Sequence, residues 1–124
     1  MNGLVGLIVD DEAGIRHLFK HLLEQHDFRV AVAASAEEGL DIAERVLPDF
    51  VITDHNMPGM TGIQLCGELR KSDATRETPI IMISGSGLQD DDFPEGCKPT
   101  RLISKPVSLA TLLKAVQDVV EEME

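Results

Sequence analysis

The chain has 124 residues, enough for one domain that buries about two-thirds of its unfolded surface. Its net charge of −11, from 22 acidic against 11 basic side chains, repels polyanions and argues against direct nucleic-acid binding. No apolar run approaches the ~20 residues of a membrane span and the N-terminus lacks the form of a signal peptide, so a cytoplasmic protein with no membrane contact is expected.

In chain order, short continuous apolar runs alternate with amphipathic stretches. "LVGLIV" (4–9) comes first, and then Ile15, Leu18, Phe19, Leu22 and Leu23 recur at helical spacing. "RVAVA" (29–33) leads to a second stripe of Ala36, Leu40, Ala43 and Leu47, opened by Ser35 and Glu38 in capping-box spacing. "FVIT" (50–53) precedes Thr61 and Gln64, a second such signature, and the stripe Ile63, Leu65, Cys66 and Leu69. "IIMIS" (80–84) is followed by "GSGLQDDDFPEGCKP" (85–99), whose glycines, prolines and three aspartates leave room for at most a turn or two of helix. "RLIS" (101–104) and a last stripe from Leu109 to Met123, with Ser108 as its N-cap, complete the chain.

Continuous rather than alternating apolarity fits strands buried on both faces. The order therefore predicts an α/β domain with a parallel sheet and helices on both sides. Cys66, on a helical stripe, reads as packing, and Cys97 reads as a loop residue; the two form no motif.

Parallel strands share one C-terminal edge, where ligands commonly bind. Asp10 and Asp11 follow the first run, Asp54 the third, Ser84 closes the fourth and Lys105 follows the fifth. Singly, each has an ordinary explanation: an N-cap for Asp10 or Asp11, an Asx turn for Asp54, a strand end for Ser84, a surface lysine for Lys105. Together they predict a rim where three carboxylates repel unless a cation intervenes. Oxygen-only ligands suit Mg²⁺, and a phosphoryl group arriving there would find a metal, an ammonium and a hydroxyl. Asp54 is then a metal ligand or a nucleophile.

"LIVDDE", "VITDHNMPGMTG", Ser84 after "IIMI" and "SKP" (104–106) together resemble the receiver domain of two-component response regulators, over essentially the whole chain. The resemblance implies a single receiver domain over residues 1–124, with no output domain in the chain and a doubly wound, flavodoxin-like five-stranded sheet of order 2-1-3-4-5. It implies that Asp54 is the phosphoacceptor, receiving a phosphoryl group from a sensor histidine kinase or histidine phosphotransfer protein. Asp11 would bind Mg²⁺ directly, Asp10 would support it, and the backbone carbonyl of Asn56 would join Asp54 in completing the metal site. Ser84 would hydrogen-bond the phosphoryl group, Lys105 would pair with it, and the Lys105–Pro106 bond would be cis. Catalysis would be limited to the protein's own phosphorylation and dephosphorylation, switching the binding of a downstream protein.

Three departures stand out. Leu102 occupies a position where the family usually carries an aromatic switch residue, and it reads as a packing residue. Gly85 replaces the usual Ala, which opens the pocket and shortens the expected life of the acyl phosphate. The fourth helix is expected to be shortened or irregular, with residues 86–98 mobile or rearranging on phosphorylation. His55 reads as a loop residue or as a group that tunes hydrolysis. The competing readings are a receiver fold that binds partners constitutively and a phosphatase using an aspartyl-phosphate intermediate. The phosphatase chemistry wants two aspartates one position apart after the first strand, whereas Asp10 and Asp11 are adjacent.

Overall fold

The computed structural model describes residues 3–85 and 87–123. Among these, strands and helices alternate as β1 (Val5–Val9), α1 (Ala13–Gln25), β2 (Arg29–Ala33), α2 (Ala36–Val46), β3 (Phe50–Asp54), α3 (Gly62–Lys71), β4 (Ile80–Ser84), β5 (Arg101–Ser104) and α4 (Leu109–Glu122). One turn of 3₁₀ helix, Asp90–Asp92, lies between β4 and β5. The strands pair in parallel in the order β2-β1-β3-β4-β5, as the sequence led us to expect. None of the described helices is long and apolar enough to cross a membrane.

The continuous runs have the predicted cause. Every residue of β3 and β4 is buried, because helices cover both faces of the sheet. On one face, Phe19 and Leu23 of α1 and Leu112, Val116 and Val119 of α4 pack on Ile8, Phe50, Ile52, Ile81 and Ile83. On the other, Ala36 and Ala43 of α2 and Leu65, Cys66 and Leu69 of α3 pack on Leu7, Val9, Val51, Ile80 and Met82. Four stripe residues fall outside this core, Leu109 and Met123 at the two ends of the last stripe among them. Leu18 is exposed on α1, and Leu47, in the left-handed conformation that closes α2, is exposed as well.

Three of the four described helices start at a side-chain cap. Thr61 Oγ1 accepts from Gln64 N–H while Gln64 Oε1 accepts from Thr61 N–H, a complete capping box. Ser108 accepts from Thr111 N–H in α4. Ser35 accepts from Glu38 N–H, but Glu38 reaches back to Ala34 N–H, one residue before the cap, so that box is only half made.

Between β4 and β5 the described residues form no α-helix. Gly87 and Gly96 adopt positive φ (69° and 81°), which the segment's composition makes easy, and Pro94 interrupts the rest. Leu88 and a buried Phe93 nonetheless pack into the α2/α3 side of the core, so this crossover covers the sheet by two side chains instead of a helix. Thr100 closes it: Thr100 N–H donates to the Ile80 carbonyl, and Ile80 N–H to Thr100 Oγ1.

Candidate functional site

The carboxyl ends of β1, β3 and β4 bring the predicted residues together. Carboxylate oxygens of Asp10, Asp11 and Asp54 lie within 4.8 Å of one another, the first and last buried and Asp11 exposed. Lys105 Nζ lies 2.9 Å from Asp54 Oδ1. Ser84 is buried at the end of β4, where its carbonyl accepts from Lys105 N–H at 2.9 Å. That bond fixes where the lysine leaves β5, and the following Lys105–Pro106 bond is cis.

Asp10 does not cap α1, nor does Asp11; Glu12 occupies the cap position without a side-chain bond. Asp10 Oδ1 instead accepts from Glu12 N–H at 2.9 Å, an Asx-type turn that aims the carboxylate at the rim. Arg16 reinforces the turn by donating to the Asp10 carbonyl at 2.7 Å. Burial raises the Asp10 pKa, the Glu12 N–H opposes this, and the neighbouring Asp54 and Asp11 charges add to the rise.

Asp54 closes β3 one residue later than the apolar run suggested. The adjacent Asp54 carboxylate stabilises the ammonium form of Lys105 and raises its pKa against the effect of partial burial. The lysine ammonium lies against the buried Oδ1, and this contact is the main cause of its raised pKa. Oδ1 is, among the described residues, a buried acceptor for which no backbone or neutral side-chain donor is shown beside the lysine ion pair. Three carboxylates facing one ammonium, with such an oxygen among them, fit a hard divalent cation bound through oxygen.

The loop after Asp54 is built to hold that carboxylate still. His55 N–H donates to the Ile83 carbonyl of β4, and the His55 carbonyl accepts from both Met57 and Gly62. Met57 is buried and pins the loop, while Asn56 stays exposed two residues beyond Asp54. Gly62 is required by contact. A Cβ there would sit 2.8 Å from both the Asp54 carbonyl oxygen and the His55 Cα, so α3 starts against the backbone of β3.

The response regulator receiver domain family model matches residues 7–117. This chain belongs to that family. The receiver is 32% identical to the phosphate regulon transcriptional regulatory protein PhoB of Escherichia coli over 85 residues, 68% of this chain and 37% of PhoB. It thus spans well under half the length of that curated relative. It is also 32% identical to the protein PilH of Pseudomonas aeruginosa over 114 residues, 91% of this chain and 94% of PilH. Among solved structures, the chemotaxis protein CheY4 of Vibrio cholerae matches with a TM-score of 0.86 and 32% identity, covering 94% of this chain and 98% of that one.

In this receiver Leu102 packs, partly buried, against the α2/α3 side of the core. Gly85 is exposed, and an added methyl would rest on the Lys105 stem at ordinary contact distance, 3.5 Å from Cδ. Sequence reasoning underrated His55. It is half-buried, and its Nδ1 accepts from Ile63 N–H in the first turn of α3 at 3.4 Å, a second cap beside Thr61. Glu37 was missed altogether: from α2 its carboxylate accepts from Met60 N–H and braces the loop after Asp54. No motif marks it, because the bond spans 23 residues.

Proposed function

We propose that this receiver accepts a phosphoryl group on Asp54 from a phosphohistidine of a sensor histidine kinase or histidine phosphotransfer protein, and that this switches its binding to a downstream protein. The observation that carries the proposal is the buried Asp54 carboxylate, set 2.9 Å from Lys105 and within reach of two further carboxylates. An Asp54 oxygen attacks phosphorus, the P–N bond breaks, and the imidazole leaves. Lys105 neutralises charge on the phosphoryl oxygens, and the Ser84 hydroxyl donates to one of them. Asp10, Asp11, Asp54 and the Asn56 carbonyl would hold Mg²⁺, which when bound supplies the positive charge that offsets the clustered carboxylates and phosphoryl oxygens. Water later hydrolyses the acyl phosphate, so turnover is confined to the protein's own modification.

The test is intact mass after incubation with Mg²⁺ and a small acyl-phosphate donor, with released phosphate read in the same tube. One phosphoryl adduct, or phosphate release, that disappears in Asp54→Ala and with EDTA is expected. If wild type yields neither, phosphotransfer fails. Constitutive partner binding then becomes the better account, consistent with the irregular crossover on the α2/α3 side.

A further inference from the structure

Two thiols meet where the crossover passes α3. Cys66, fully buried on α3, donates its S–H to the Cys97 carbonyl oxygen at 3.0 Å. Cys97 is half-buried, and its own sulfur lies beside Gly67, where an added Cβ would stand 3.7 Å from Sγ. Gly67 therefore leaves that side of the helix open next to Cys66. Both cysteines are free.

A disulfide asks for Cα atoms about 4.4–6.8 Å apart. A sulfur 3.0 Å from the partner's carbonyl oxygen already limits the two Cα atoms to no more than about 8 Å at ordinary bond lengths and angles. The crossover can close the difference. Gly96, at φ +81°, immediately precedes Cys97, and the turn is closed by a bond from Cys97 N–H to the Pro94 carbonyl. Cys97 also lines an open groove of about 550 Å³ with Ile63, Gly67 and Pro94, which gives a small reagent access to it.

We propose that Cys66 and Cys97 form an internal disulfide when the protein meets a small-molecule disulfide, clipping the β4–β5 crossover to α3. Cys97 attacks one sulfur of the reagent, whose S–S bond breaks and releases one small thiol. Cys66, as thiolate, then attacks Cys97 Sγ and expels the second small thiol. Two protein S–H bonds are lost, one S–S bond forms, and the reagent is reduced to two thiols. Burial pushes the Cys66 thiol up to about 11, so the second step is slow near neutrality and speeds up as pH rises. The bridge requires no phosphotransfer and stands whether or not Asp54 is phosphorylated.

The experiment treats native wild-type protein with glutathione disulfide, without denaturant, and follows intact mass, alkylatable thiols and non-reducing peptide maps. Loss of two hydrogens, loss of both thiols and a peptide joining 66 to 97 are expected, at a rate that increases with pH. Cys66→Ser should stop at one glutathione adduct on Cys97, and Cys97→Ser should neither bridge nor take up an adduct. Amide exchange across 94–98 should slow in the bridged protein, which separates a native bridge from one trapped during unfolding. A lasting adduct on wild-type Cys97, disulfide-linked dimers, or no reaction would each overturn the proposal.

Discussion

Asp10 is crowded by two like charges and shielded from water, and it is held there by the backbone of Glu12. Its ionised form weakens the fold above the ordinary carboxylate range. Asp10→Asn, which can still accept from Glu12 N–H, should therefore raise the melting temperature at neutral pH without metal. The gain should vanish below about pH 3.8, where the wild-type carboxyl is protonated whether folded or unfolded. Equal melting curves for the two proteins at pH 7 would show that the crowding costs nothing. Cys66 gives a signal at the other end of the scale. Between its ordinary value of 9.0 and about 11, only the unfolded chain releases the thiol proton, so stability falls as pH rises through that window. Cys66→Ala should be the weaker protein at neutrality through lost packing, yet its deficit should narrow from pH 9 to 11 in denaturant titrations. At Gly85 an Ala methyl fits over the Lys105 stem, so Gly85→Ala should fold normally. If Asp54 is phosphorylated as proposed, its acyl phosphate should last several-fold longer, measured as the decay of the mass adduct.

At the scale of single elements, α3 and the crossover differ in how they are held. The first turn of α3 is fixed by Thr61, Gln64 and His55 and by the contact of Gly62 with the Asp54 backbone. Gly62→Ala must push backbone against backbone and should cost about 1–3 kcal/mol in a thermal or denaturant melt. The crossover depends largely on one ring. Phe93→Ala should cost about 3 kcal/mol and speed amide exchange from 87 to 98, whereas exchange in α3 stays protected. Strands and helix starts were legible because their causes are local: an apolar run, a stripe, or a Thr three residues before a Gln. The failure of the fourth helix was legible for the same reason, from its glycines, prolines and aspartates. Phe93 as a plug, the Cys66–Cys97 contact and the reach of Glu37 to Met60 were not, because each joins residues far apart in sequence. Leu18 and Leu47 matched the helical period yet are exposed, Leu47 because it takes the left-handed conformation that ends α2.

Across the whole molecule, one parallel sheet accounts for most of what could be foreseen about the site. With five strands running the same way, residues at positions 10, 11, 54, 84 and 105 come to one rim however distant they are in the chain. The net charge of −11 makes that rim attractive to cations at long range, although salt screens the effect beyond about 10 Å. Mg²⁺ at about ten times its dissociation constant should add about 1.4 kcal/mol of stability, a rise of a few degrees in melting temperature. Asp54→Ala or Asp11→Ala should lose that rise, and a monovalent salt at matched ionic strength should not produce it. The buried ring of the crossover also gives the molecule an optical handle. The chain contains no Trp and no Tyr, so Phe93→Trp would place a single indole against a dark background. Its emission colour would then report, without any label, whether events at the strand ends are felt on the α2/α3 side.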